Sequence, residues 1–222
     1  MNRREFTAAF SAIALATPAW SAVPEAEAAS GIRAALERGA LAAVAQLGKT
    51  DGFLGNPQVR IALPRHLDEA AKLLRALGQG RKVDELVTAM NRAAEAAMPQ
   101  AKSLFVSTIK AISVEDAVKI VRGSSTSVTE FFAGKTRSPL AEQFLPIVTR
   151  ATEKVQLAER YNSVAAKAAG LGLVKGDETN VQKYVTAKAL DGLYFMVGEE
   201  EKRIRADPLG TGSAILRKVF GG

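Results

Sequence analysis

The chain contains no cysteine and a single histidine, and only 6% of its 222 residues are aromatic. Without cysteine there is no disulfide framework and no lipidated thiol to anchor the chain, so the fold must hold by packing alone. A zinc site built around His66, in Leu63-Pro64-Arg65-His66-Leu67, would need an all-carboxylate remainder, which is unusual; His66 is read as a surface residue and no metal site is expected. The aromatics do not interleave with the basic residues as a base-stacking platform requires, which argues against nucleic acid as a partner. No Gly-x-Ser-x-Gly nucleophile motif occurs. Gly48-Lys49-Thr50 and Gly134-Lys135-Thr136 resemble the end of a phosphate-binding loop, but the residues five places before each Gly are Ala43 and Thr129 where that loop needs glycine. Gly170-Leu171-Gly172 lacks the third glycine of a dinucleotide motif and reads as a turn. No cofactor site emerges.

What is present begins with an export signature. Basic Asn2-Arg3-Arg4-Glu5-Phe6 precedes a modestly apolar run from Ala8 to Ala16, which ends in Thr17-Pro18-Ala19-Trp20-Ser21. Those are the parts of a secretory signal, and the run is too short to span a bilayer, which takes about 20 apolar residues. Small residues suit cleavage after Ser21, so that residues 1–21 form the signal, and Ala26 and Ala28 offer a second exit after Ala28. Arg3-Arg4 followed by Glu5-Phe6 resembles the twin-arginine motif that exports folded proteins, while two basic residues also open many general secretory signals. The mature chain is expected in the periplasm, soluble and without a membrane span.

Loss of Arg3, Arg4 and Glu5 with the signal leaves 28 basic and 22 acidic residues. That surplus favours anionic surfaces such as phospholipid head groups or cell-wall polymers. Some 200 mature residues suffice for one core without covalent staples, and a single domain over residues 30–222 is expected.

Alanine supplies 40 of the 222 residues, strand-favouring clusters are scarce, and apolar residues recur in steps of three and four, so the fold class is all-α. A first helix is expected from a Ser30 cap to Gly48. Further helices are expected over Arg65–Leu77, Lys82–Ile112, Val114–Arg122, Val128–Phe132, Pro139–Val155, Leu157–Ala169, Val181–Arg205 and Ser213–Val219. Pro99 and Pro146 fall inside two of these patterns and should kink or divide them. Ser113-Val114-Glu115-Asp116 fits a capping box. Glu199-Glu200-Glu201 reads as a solvated face, with Glu199 against Arg203 and Glu201 against Arg205. Val59, Ile61 and Leu63 alternate with polar positions from Gln58 to Leu63, a strand pattern closed by Pro64. Such a segment must pair with another extended piece, for which Leu171–Lys175 is the candidate, or lie as a bare loop over the core.

The residues of functional interest are polar ones set into apolar helices. Asn91 and Glu95 lie one turn apart with Arg92 between them, and Tyr161-Asn162 and Asp191 belong to helices expected to pack nearby. If they converge, Asn91, Arg92, Glu95, Tyr161, Asn162 and Asp191 form either a buried hydrogen-bond network or the polar lining of a pocket.

Leu47-Gly48-Lys49, Asp51-Gly52-Phe53-Leu54-Gly55-Asn56, Leu77-Gly78-Gln79-Gly80, Met90 to Ala97, Phe144-Leu145-Pro146-Ile147-Val148 and Ala189-Leu190-Asp191-Gly192-Leu193 together resemble the bacterial family DUF4197. The resemblance spans about residues 31 to 220. It implies a helical, exported protein and brings no established activity, so no catalytic positions carry over. The absence of cysteine departs from lipid-anchored members and implies a soluble periplasmic form. Three functions remain open: a non-enzymatic domain binding a lipid or other amphipathic small molecule, or an envelope protein; a hydrolase of envelope polymers working through Glu95, Asp191 or Glu200; and a self-associating structural protein.

Overall fold

A computed structural model describes residues 23–170 and 180–221. The chain forms α1 (Glu25–Leu47), α2 (Asp68–Ala76), α3 (Gly80–Ala97), α4 (Lys102–Ala111), α5 (Ala117–Val121), α6 (Ser127–Lys154), α7 (Leu157–Gly170), α8 (Val181–Ala206) and α9 (Ala214–Phe220), with single 3-10 turns before α2 and before α4. The fold is all-α, with no strand among the described residues. In none of the described helices is there a stretch long and apolar enough to cross a membrane.

The long helix α8 is the organising element. On one side it meets α1, where Gly39 faces Val197, Arg38 reaches Glu200 and Ala35 shares a small cluster with Ile204. Residue numbers rise on one helix as they fall on the other, so α1 and α8 are antiparallel. The same holds for α6, where Thr129 binds Glu201, Thr136 meets Tyr194 and Arg137 pairs with Asp191. Helix α3 packs against α6, α7 and α2 and completes the main core, in which Phe105 meets Phe144 and Phe132 meets Tyr194 edge to face. Helix α9 closes the end of α1, its Val219 seated over Gly31.

Several expectations are corrected by this arrangement. Helix α1 starts at Glu25 rather than Ser30, after Pro24, because Ala28 and Ala29 are already buried in the core and Glu25 and Glu27 favour the positive end of the helix. The two helices expected on either side of Gly134-Lys135-Thr136 are one, α6, and that triplet lies mid-helix, unlike any phosphate loop. Pro139 and Pro146 do not divide α6. Both are exposed, as are Lys135 and Glu142 four residues before them, so the carbonyls that lose their partners face water, while Phe132, Thr136, Leu140, Phe144 and Val148 keep an unbroken buried stripe. Pro99, by contrast, does divide its pattern into α3 and α4.

Ser113 does not cap α5. The helix starts later, at Ala117, behind Asp116 in a left-handed conformation (φ 54°), and its first amides, Ala117 and Val118, donate to the carboxylate of Glu25 on α1. The acidic run on α8 is likewise no solvated face. Glu199 is tied to Lys202 and Glu200 to Arg203 and Arg38, and Glu201 is 2% exposed. Its carboxylate accepts from the Val128 and Thr129 amides (3.1 and 2.8 Å), from the Thr129 hydroxyl (2.7 Å) and from Arg205, the one pairing of that run that matches expectation. Glu201 therefore serves as the N-terminal cap of α6 from another helix, satisfying donors that the N-cap residue Thr126 leaves unmet.

Replacing Glu201 with Ala leaves two buried amides without their acceptor and Arg205 without its counter-charge. Stability to urea should fall by about 3 kcal/mol, and Thr129→Val should cost about 1 kcal/mol through the same carboxylate. The double variant should lose less than the sum of the two. A Glu201→Ala protein within about 0.5 kcal/mol of the parent would contradict the capping role.

Candidate functional site

The chain from Gly48 to Pro64 leaves α1, turns at Asp51 (φ 65°) and crosses α3 and α8 before entering α2. It has no regular secondary structure, yet Phe53, Val59, Ile61 and Leu63 are buried while Gln58, Arg60 and Ala62 are exposed. The alternation expected of a strand is present, and among the described residues no strand pairs with it. The Leu171–Lys175 segment proposed to pair with it lies outside the described residues, as does the side chain of His66.

The partner is a side chain. Asn91 on α3, fully buried, accepts from the Ile61 amide through Oδ1 (2.8 Å) and donates through Nδ2 to the Ile61 carbonyl (2.9 Å) and to Val87 one turn back (2.7 Å). A carboxamide presents a donor and an acceptor side by side, the same pair that a neighbouring strand would offer. One turn further on, Oε1 of Glu95 accepts from the amides of Phe53 and Leu54, both at 3.1 Å. Arg92 closes the arrangement, binding Glu95 Oε2 at 2.6 Å and Asp51 at 2.8 Å, and its guanidinium is raised above its ordinary pKa chiefly by the hydrogen bond to Glu95.

Two glycines make the crossing sterically possible. A Cβ at Gly52 would stand 2.5 Å from the Gln46 carbonyl oxygen, and one at Gly192 on α8 would stand 2.7 Å from the Phe53 ring. The Tyr184 hydroxyl, also on α8, donates to the Ala62 carbonyl at 3.0 Å. Burial raises the Tyr184 phenol above its usual range, and the nearby negative charges of Asp68 and Asp191 add to it.

Of the six candidate residues, Asn91, Arg92 and Glu95 thus converge, in a saturated network that holds backbone. Asp191 lies one residue from the Phe53 contact at Gly192 and is paired with Arg137 (2.5 Å) and Lys188 (3.1 Å). Burial alone would raise its carboxyl, but hydrogen bonds from the two cations outweigh that and hold it below the ordinary carboxylate range. Tyr161 packs half-buried against the main core and Asn162 is exposed on α7. The carboxylates weighed for hydrolysis are each committed elsewhere: Glu95 to Arg92, Asp191 to Arg137 and Lys188, Glu200 to Arg38 and Arg203. No two of them share a partner or face each other across the cleft described next, which is the arrangement glycoside hydrolysis needs. Among the described residues no group of acidic or histidine side chains is placed to hold a metal.

An open cleft of about 770 Å³ runs along the outer face of α3 where the α6–α7 junction approaches it. Thr88, Ala89 and Val155 line it together with two carboxylates, Asp84 and Glu85, and three guanidinium groups, Arg81, Arg92 and Arg160. Glu85 lies between two of these, accepting from Arg81 at 2.9 Å and Arg160 at 3.2 Å. The hydrogen bond from Arg81 is the main reason its carboxyl sits below the ordinary range. Gln156, left-handed at φ 51°, turns the chain from α6 into α7 and leaves the Val155 carbonyl to accept from Arg160. Only Arg92 among the six candidates lines this cleft. Arg81, Glu85 and Ala89 follow at four-residue spacing on α3, a signal available in the sequence, but the approach of Val155 and Arg160 to that face is tertiary and left no local trace.

The family model for Protein of unknown function (DUF4197) matches residues 22–221, and the chain belongs to that family. No curated protein and no solved structure matches the chain significantly.

Replacing Asn91 with Leu strips the Ile61 amide and carbonyl of partners in a dry site and should destabilise the protein by about 3 kcal/mol; Gly192→Ala should cost about 1 to 3 kcal/mol by displacing Phe53. Urea denaturation measures both, and losses under about 0.5 kcal/mol would contradict the packing described. Because the Asp191 pKa is depressed in the folded state, its contribution is present above the unfolded carboxylate pKa near ~4 and disappears as pH falls through the folded value. Asp191→Asn should therefore flatten the acid side of the stability–pH curve, and an unchanged acid limb would refute the pairing.

Proposed function

We propose that this member of the DUF4197 family is a non-enzymatic, exported binding domain, and that the cleft beside α3 takes an amphipathic ligand with an anionic head. The observation that carries the reading is the convergence of Arg81, Arg92 and Arg160, three guanidinium groups against the two carboxylates Asp84 and Glu85, around an apolar floor of Ala89 and Val155. A wholly apolar ligand does not fit a lining that is mostly charged, whereas an acidic head group pairs with guanidinium in a bidentate geometry and a short tail covers the floor. The positive balance of the chain favours the approach of such a ligand, or of an anionic envelope surface carrying it.

The alternatives have less to stand on. A carboxylate-dependent hydrolase needs two free carboxylates across the cleft, and Glu95, Asp191 and Glu200 are held in separate ion pairs. Self-association needs an apolar patch, and the exposed large apolar side chains among the described residues are Leu73, Leu77 and Leu209.

Titration with dodecyl phosphate below its micelle concentration, followed by native mass spectrometry, tests the reading. A saturable one-to-one complex should form and weaken about tenfold or more in Arg160→Glu, a loss of at least ~1.4 kcal/mol. Non-saturating uptake, or equal affinity in the variant, would refute it.

A further inference from the structure

The cleft beside α3 does not end at its charged wall. Glu85 and Arg160, ion-paired at 3.2 Å, also line a second cavity of about 190 Å³, whose other walls are Lys82, Gln156, Glu159 and Ser163. None of these lining residues is apolar, and their charges balance, Lys82 and Arg160 against Glu85 and Glu159. A neutral group rich in hydroxyls suits such a lining, and an alkyl chain does not. The Lys82 ammonium donates to the Ser163 hydroxyl at 3.3 Å, and both groups can donate to a ligand oxygen. Between the two cavities stands the Glu85 carboxylate, each oxygen taken by one guanidinium, Oε1 by Arg81 at 2.9 Å and Oε2 by Arg160 at 3.2 Å. A phosphodiester offers two charged oxygens to the same two donors and adds an ester arm on either side.

We infer that the two cavities are one binding site divided by the Glu85 carboxylate, and that its ligand is a single-chain phosphodiester with a hydroxylated head group. This rests on the reading of the cleft as a site for an anionic amphiphile. The phosphate takes the place of Glu85 between Arg81 and Arg160, and Glu85, whose side chain is 40% exposed, turns out to solvent. One ester arm lays the chain along Ala89 and Val155, and the other carries the head group into the second cavity, toward Lys82 and Ser163. A phosphate monoester has one arm only and leaves the second cavity to water. Arg92, already held by Glu95 and Asp51, adds its charge to the cleft.

Dodecyl phosphoglycerol and dodecyl methyl phosphate, equal in charge and chain, isolate the head group when each is titrated below its micelle concentration and read by native mass spectrometry. The glycerol ester should bind at least about fivefold tighter, the worth of one or two net hydrogen bonds. Ser163→Leu, which fills the second cavity with an apolar side chain, should erase that difference. Should this variant not fold, Lys82→Ala at an exposed position of α3 makes the same test and should narrow the difference. Glu85→Gln, which removes the charge of the resident carboxylate, should tighten both diesters about threefold, the scale of an exposed ion pair. Equal affinity of the two diesters while dodecyl phosphate still binds would overturn the inference and leave the cleft reading intact, as would an undiminished difference in the cavity variants or no gain in Glu85→Gln. Failure of all three amphiphiles to bind would overturn the cleft reading and the inference together.

Discussion

Two side chains one helical turn apart, Asn91 and Glu95, carry the constraint on which the rest of this fold depends. The chain between α1 and α2 buries Phe53, Val59, Ile61 and Leu63 without forming any regular structure. Its backbone donors and acceptors must therefore be met by something other than a ladder. Asn91 supplies the paired donor and acceptor at Ile61, and Glu95 supplies the acceptor at Phe53 and Leu54. With those groups satisfied, the Phe53 ring can sit between α3 and α8, against Gly192. Without them, burying the same apolar residues would strand polar backbone in the core, at a cost comparable to what the burial gains.

The same device recurs at two helix ends. Glu25 of α1 receives the first amides of α5, and Glu201 of α8 receives those of α6. In each case the carboxylate comes from a distant helix, so the cap exists only when the tertiary structure does. A helix N-terminus carries positive partial charge, which makes an anion there favourable even where water is excluded. Arg205 offsets the Glu201 charge and reaches the Val121 carbonyl and the Phe220 ring, joining α5, α6, α8 and α9 at one point. For a chain without disulfides, these long-range caps take over part of what covalent links do elsewhere: they make helix ends cooperative with the core.

This explains which parts of the structure were legible in the sequence. The apolar steps of three and four on α3 and α8 report burial directly; α8 ends close to where its pattern ends, while the pattern that begins on α3 runs on past Pro99 into α4. The alternation at Val59, Ile61 and Leu63 was also a true report of burial, but burial alone does not say whether a strand or a side chain completes the hydrogen bonds. The acidic run at Glu199-Glu200-Glu201 misled because charge density normally marks a wet face, and the donors that draw Glu201 inward belong to residues more than seventy positions away. The prolines of α6 show the converse: their effect depends on which side of the helix they occupy, which becomes plain only when Phe132, Thr136 and Leu140 are known to face the core. As for the candidate site, Asn91, Arg92 and Glu95 were identified as a group by their spacing, while their role as backbone holders and the partnership of Arg92 with Arg160 across the cleft required the packing of α3 against the α6–α7 junction.

A division of labour follows along α3. Its inward polar residues, Asn91 and Glu95, are spent on the fold, and its outward ones, Arg81, Glu85 and Arg92, line the open cleft. Arg92 belongs to both sets, which couples the loop at Asp51 to the cleft. The claim underneath all of this is that buried side chains hold non-helical and helix-terminal backbone as firmly as regular structure would. Native-state hydrogen exchange reads it amide by amide. The account predicts that Phe53, Leu54, Ile61, Val128 and Thr129 exchange only through global unfolding, with protection matching that of the middle of α8; exchange at the rate of an open loop or a frayed first turn would contradict it.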